Sequence, residues 1–294
     1  MKTHHISKPA LALAGLMLVA LVGCGGSDDT ATLNLAVSDT PVDGATHVMV
    51  TFTGVQVKGS TGAAQEFDFS SPKHIDLLAQ QGGNSAMLLD GVKIAAGSYE
   101  WIRLKVDPTQ TTITLTDGSV HPLTIPSGDQ TGLKLVSGFT AAAGGTMDFT
   151  IDFNLRQSVT LAAGTYILKP ALRLVDNLQT GQIMGTVDAN LVLGGVPIAS
   201  PACSPAAYVY TGGGVSPVDI NTTSAVQPIE TASLVLNTTT GSFDYTAAFL
   251  AAGTYTVALV CAAGDSPLTV DSLAFSAPKD ATVTAGAVTT VDFP

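Results

Sequence analysis

The chain has 294 residues, a formal net charge of −11 and a mean hydropathy of +0.37, with 46% apolar and only 12% charged residues. So much apolar side chain can bury a core, which excludes a disordered acidic chain, and the acidic balance excludes a nucleic-acid binder, which needs a basic face. The positive hydropathy suggests a membrane, yet no apolar run reaches the roughly 18 residues that a spanning helix requires.

The first element is a leader. Lys2 and Lys8 accompany an apolar run of 13 residues from Ala10 to Val22, long enough for the hydrophobic region of an export signal and too short to span. It closes on Leu21-Val22-Gly23-Cys24, which resembles the lipobox of bacterial lipoproteins. That resemblance implies cleavage before Cys24, a diacylglyceryl thioether on its sulfur, and acylation of the new amine with a palmitate-like chain. Residues 1–23 are then the signal peptide, and 24–30 the lipidated cysteine and a Gly-Ser-Asp tether. Each acyl CH₂ buried in the bilayer contributes about 0.8 kcal/mol, so several chains anchor permanently. Gly25, rather than Asp, in the second mature position permits sorting to the outer membrane by resemblance to Gram-negative lipoproteins. Losing Lys2 and Lys8 leaves 10 basic against 23 acidic residues, a net of −13, so anionic lipid does not hold the mature chain and the acyl chains must. The expected address is the cell envelope, lipid-anchored at the outer membrane and facing periplasm or cell surface.

After the tether, apolar and polar residues alternate at period two between Gly, Pro, Asp and Asn punctuation, the pattern of strands. Thr32 to Val37 is one such segment, and Val48 to Val57 another, with Val48, Val50 and Phe52 on one face. Residues Ser85 to Leu89 are compatible with one helical turn. Ile102, Leu104 and Val106 oppose Trp101, Arg103 and Lys105. Ile113 to Leu115 and Leu133 to Val136 are shorter runs. Met147, Phe149, Ile151, Phe153 and Leu155 alternate with Asp148, Thr150, Asp152, Asn154 and Arg156; this predicts a half-buried strand whose polar face, paired in charge with Arg103, Lys105, Arg156 or Arg173, meets solvent. The phrase Ala-Ala-Gly-(Ser/Thr)-Tyr occurs at 95–99, 162–166 and 251–255, predicting a turn in which Gly takes φ > 0 and Tyr opens the next strand.

Charge divides the chain. From Thr180 onward Lys279 is the one basic residue against eight acidic ones, and Asn177 to Gln182 reads as a linker. The expected fold is all-β: two consecutive antiparallel β-sandwich domains, immunoglobulin- or prealbumin-like, over residues 31–177 and 183–294. Cys203 and Cys261 both fall in the second. An oxidising envelope favours their pairing as a disulfide, with two free buried thiols as the alternative.

Several ordered motifs carry a family resemblance. Ala36-Val37-Ser38-Asp39-Thr40-Pro41-Val42-Asp43-Gly44-Ala45 followed by Val48 to Val55 resembles the opening of a bacterial lipoprotein family, domain of unknown function 4382. Ile75 to Leu78, Tyr99 to Val106, Phe149 to Phe153 and Lys169 to Val175 fit the same pattern. The resemblance spans about residues 30 to 177 and implies an exported, β-rich, lipid-anchored domain, with no catalytic residues to carry over. The second domain resembles carboxypeptidase-regulatory-like or transthyretin-like β-sandwich modules through Gly185 to Val187, Ala207 to Tyr210 and Gly241 to Val257.

No nucleophile elbow, zincin, dinucleotide, Walker or paired-cysteine motif occurs, so neither an enzyme nor a cofactor is expected. His47, His74 and His121 each stand alone in sequence. Asp39 and Asp43 bracket Pro41. Asx-turn chemistry accounts for them, and a weak calcium site with Asp148 or Asp152 is the functional alternative. Trp101, Arg103 and Lys105 on one face form a surface that could stack on a sugar or a partner, against a core or seam role for the lone Trp. Function is accordingly expected to be a non-enzymatic binding or scaffold role at the envelope. The alternative is a glycan-binding accessory module or adhesin, with carbohydrate or an envelope protein as partner.

Overall fold

The computed structural model describes residues 1, 29–126, 132–221, 223–263, 265 and 267–294; the expected leader and Cys24 lie outside them. The fold is nearly all β, arranged as packed sheets. No helix among the described residues is long and apolar enough to cross a membrane.

The opening strand, Thr30–Thr40, is an inner strand of a four-stranded sheet in the order Leu172–Asp176, Thr146–Asn154, Thr30–Thr40, Ala86–Ala95. Leu33, Leu35 and Val37 face a second sheet of nine strands around Ala45–Gly59. Phe153 from the first sheet meets Phe52 from the second edge-on, ring centroids 6.4 Å apart. Within Ala45–Gly59, Val48, Val50 and Phe52 are buried, and so are Val55 and Val57, although the two sets fall on opposite parity. An irregularity between Phe52 and Gly54 against both neighbouring strands resets the phase, so both sets reach one core. Gly54 is required there: a Cβ would lie 2.7 Å from the Phe67 carbonyl oxygen.

The sheets are mixed rather than purely antiparallel. Thr30–Thr40 runs parallel to Thr146–Asn154, and Thr180–Val187 parallel to Val288–Thr290. Ser85 to Leu89 forms no helical turn; Ala86–Ala95 is a strand on the edge of the first sheet. The expected linker is a short 3₁₀ turn, Asn177–Gln179, capped by the Asp176 carboxylate, and the next strand starts at Thr180.

The second half has two four-stranded sheets. One contains Val235–Leu236, Phe243–Ala251, Thr180–Val187 and Val288–Thr290, the other Glu230–Ser233, Pro205–Thr211, Gly253–Cys261 and Lys279–Val283. Ile183, Val187, Val209, Tyr245, Val257 and Leu259 fill the space between them. The Cys203–Cys261 disulfide is formed, with Cα atoms 4.7 Å apart.

The repeated phrase adopts two geometries. At 95–99 and 251–255 it carries the chain from one sheet of a sandwich to the other. Tyr99 and Tyr255 are buried, and their hydroxyls turn back to the carbonyls of Ala95 (2.8 Å) and Ala251 (2.7 Å). The hydroxyl thus closes the corner, and only Gly97 of these two glycines has positive φ. At 162–166 the same phrase is a hairpin within one sheet, with Ala163 at φ 50° and Gly164 at φ 78°.

The largest departure concerns Thr146–Asn154. Its polar side does not meet solvent: Thr150 is 0% exposed, Asp152 3% and Asn154 7%. Arg156, expected at the end of the same strand, instead lies on a helical turn, Leu155–Ser158, and is 4% exposed. The second half of the chain covers this face, so a strand patterned for half-burial is buried on both sides.

Candidate functional site

Two clusters of ionised groups occupy the junction between the halves, and a cleft opens beside one of them. In the first cluster Arg156 grips Asp43 with both terminal nitrogens, Nη2 to Oδ1 at 2.9 Å and Nη1 to Oδ2. Ser204 from the second half donates to the same Oδ1 at 2.6 Å. Nearby, Gln157 donates to the Pro228 carbonyl at 3.1 Å. The turn that aims Arg156 starts at Asn154, whose side chain accepts from the Gln157 amide at 3.1 Å, an N-cap that stops the strand and rotates the next side chains. One guanidinium meets one carboxylate bidentately, with the charges balanced.

In the second cluster Arg173 reaches Asp152 at 2.6 Å on its own sheet and Glu230 at 2.9 Å on the other half, and donates to the Phe249 carbonyl at 3.2 Å. Burial opposes its charge, and the Asp152 and Glu230 carboxylates more than compensate, so Arg173 stays protonated. Asp39 completes the group. Its Oδ1 accepts from the Leu155 amide at 3.3 Å, and its buried Oδ2 has no hydrogen-bond partner. Burial first, and the Asp152 charge second, hold the Asp39 carboxyl well above the usual carboxylate range. Glu230 is raised for the same two reasons, with Arg173 opposing them only in part. Two carboxylates thus share one guanidinium with a third carboxyl, Asp39, close enough to feel the Asp152 charge, and burial opposes ionisation of the one without a cationic partner.

Beside this second cluster lies a cleft of about 330 Å³, lined by Asp39, Pro41 and Gln81 from the first half and by Glu230, Leu236 and Asp244 from the second. That size falls within the range of small-ligand pockets. The lining is mixed, with acidic and polar residues beside Pro41 and Leu236.

The residues picked out in the sequence fare unequally. Asp39 and Asp43 are not brought together as a ligand set: the first is buried and accepts from the Leu155 amide, and the second is engaged by Arg156 and Ser204. Asp148, proposed as their companion, accepts from Asn177 at 3.0 Å, and Asp152 pairs with Arg173. Trp101, Arg103 and Lys105 do share a face, but the Trp101 ring is already flanked by the Arg103 guanidinium at 4.6 Å and the Lys134 ammonium at 4.8 Å. Lys105 turns away to Asp68 at 2.5 Å and Glu66 at 3.3 Å.

His47 bonds Asp76 at 2.7 Å. His74 bonds the Thr51 hydroxyl at 2.9 Å, which itself donates to the Gln110 carbonyl at 3.0 Å. That hydroxyl's proton is therefore directed at a carbonyl and not at the imidazole. Glu230, Asp244 and the cleft itself escaped sequence reasoning, since no spacing signals a cleft whose walls are some 190 residues apart in the chain.

Comparison with known proteins adds little chemistry. No curated protein matches the chain. Among solved structures, the crystal structure of "a putative cell adhesion protein" from Bacteroides eggerthii DSM 20697 aligns over 92% of this chain and 98% of its own, at 10% identity and a TM-score of 0.17. At that score the likeness carries no argument. Residues 30–170, which form most of the first half and contribute Asp39, Asp43, Asp152 and Arg156 to the junction, match the family described as domain of unknown function (DUF4382).

Proposed function

We propose that the chain is a non-enzymatic binding module of the bacterial envelope, anchored to the outer membrane through acylated Cys24, that takes a polar ligand in the cleft between its halves. The observation that carries the binding part is the cleft of about 330 Å³ whose walls come from both halves and carry polar residues, Gln81, Asn237 and Asp244 among them. Those groups suit a ligand dense in hydroxyls, and a carbohydrate is the ligand class that fits best. The anchor rests on the leader and on Leu21-Val22-Gly23-Cys24. Five residues separate Cys24 from the first strand at Thr30, a reach of roughly 20 Å at most. The start of that strand therefore stays near the bilayer, and its far end, at Asp39 and Thr40, borders the cleft and the second half.

The anchor is tested by expressing Cys24→Ala beside the wild type and separating membranes: the wild type sediments with them and takes up labelled palmitate, and the variant does neither. A variant that still sediments overturns the anchor. The ligand class is tested on a glycan array with the wild type, Leu236→Arg, which fills the cleft from an exposed position, and Trp101→Ala. Binding lost in Leu236→Arg alone supports the cleft. Binding lost in Trp101→Ala alone moves the site to the Trp101 face, and no bound sugar removes carbohydrate as the ligand.

A further inference from the structure

Behind the Arg156 cluster, the outer face of the second half's Pro205–Thr211 sheet carries its own small core. Tyr208, Tyr210, Val260 and Ile220 are buried there beneath the loops that follow residue 211 and residue 261. Three carboxylates meet under those loops. Asp219, Asp265 and Asp271 each offer an oxygen, and the three oxygens lie within 4.8 Å of one another. Asp219 and Asp265 are buried, at 6% and 9% exposure. Lys279 is the one basic residue in this half.

The carboxylates are partly fixed in advance. The Asn221 amide donates to Asp219 Oδ1 at 2.9 Å, and the Asp271 backbone amide donates to Asp219 Oδ2 at 2.6 Å. Asp265 is more telling. The Tyr208 hydroxyl donates to its Oδ2, while its Oδ1 is buried with no hydrogen-bond partner. A carboxylate oxygen shut away from water without a donor is costly. A cation would remove that cost.

We infer that Asp219, Asp265 and Asp271 form a binding site for a hard divalent cation, with calcium as the ion they fit. The chemistry of the donor set supports this choice. Calcium takes oxygen ligands at about 2.4 Å, so oxygens on opposite sides of one ion stand about 4.8 Å apart. Three carboxylates supply the anionic share, and backbone carbonyls and water complete the usual six to eight ligands. The site is distinct from the Asp39 and Asp43 pair and independent of the cleft. It reaches the junction through Tyr208, whose ring lies 5.9 Å from the Arg156 guanidinium. Arg156 also donates to the Ala262 carbonyl at 3.5 Å, in the same loop as Asp265.

Terbium provides a direct probe, because a tyrosine next to a bound Tb³⁺ sensitises its luminescence and Tyr208 is bonded to Asp265. The full-length protein in detergent is titrated with Tb³⁺ under excitation in the tyrosine band, then with Ca²⁺ as competitor, and melted with CaCl₂ or with NaCl of equal ionic strength. The expected result is sensitised emission displaced by Ca²⁺ with an apparent Kd of about 0.1–1 mM, and a Tm at least about 3 °C higher in CaCl₂ than in NaCl. Asp271→Asn, at the partly exposed member, and Asp219→Asn, at a buried one, each weaken Ca²⁺ at least about tenfold. Absence of calcium-displaceable emission in the folded wild type overturns the site, as does equal affinity in a folded Asp271→Asn.

Discussion

The two ion clusters at the junction are built from the same parts and behave differently. Around Arg156 one guanidinium meets one carboxylate, and Ser204 adds a neutral donor. Around Arg173 one guanidinium faces Asp152 and Glu230, and Asp39 lies near Asp152. The first is a clamp whose charges cancel. The second carries an excess of acid, and burial together with the Asp152 charge raises the carboxyls of Asp39 and Glu230 above the usual range. Both clusters tie the halves together, and the one with the surplus of buried carboxyls is the one that borders the cleft.

Removing the clamp's covalent support has the largest expected effect. Cys203 and Cys261 close a loop of 58 residues, and the chain-entropy model assigns such a crosslink about 4 kcal/mol. Ser204 and Ala262, which both touch the Arg156 cluster, are the residues next to these cysteines. The double variant Cys203→Ser/Cys261→Ser is expected to lose roughly that stability in denaturant melts. A loss below about 1 kcal/mol would detach the disulfide from the junction's stability.

Arg156→Ala follows. It leaves Asp43 without its cation and is expected to cost about 3 kcal/mol, read as a drop in the denaturation midpoint. An unchanged midpoint would reduce the clamp to a surface pair.

Asp39→Asn probes the other cluster and has the opposite sign. A carboxyl whose folded pKa is raised contributes stability in full below its unfolded pKa and loses it as pH rises through the folded value. The wild type should therefore melt at lower temperature as pH is raised from the carboxylate range towards 8. Asp39→Asn should flatten that slope and gain about 1 kcal/mol at the upper end. An unaltered slope would mean that Asp39 is ionised and paired.

How much of this was legible in the sequence varies with range. The alternation from Met147 to Phe153 gave the strand and its core face correctly, because a period-two pattern is local. It misassigned the polar face, because what covers Asp152 is Glu230, 78 positions later, and Asp and Asn look alike whether solvated or sealed by another half. The Cys203–Cys261 pairing was legible because only two cysteines lie beyond the lipobox. The phase reset at Gly54 was hidden, since a bulge shows only when the partner strand is placed. Asp219, Asp265 and Asp271 have no common spacing, and only the loops over Tyr208 bring them together.

The smallest expected effect is at Trp101. Its ring is stacked with Arg103 and Lys134 at a half-buried site, so Trp101→Ala should cost less than about 1 kcal/mol and leave the junction's pH slope unchanged. A larger loss would place Trp101 in the fold's core rather than on its face.

The central claim is that the two halves are one body, locked by the buried polar face of Thr146–Asn154. Differential scanning calorimetry of the full-length protein in detergent tests it most directly, against Arg156→Ala/Arg173→Ala. A single cooperative transition for the wild type that separates into two in the double variant is the predicted result. Two independent transitions already present in the wild type would contradict it.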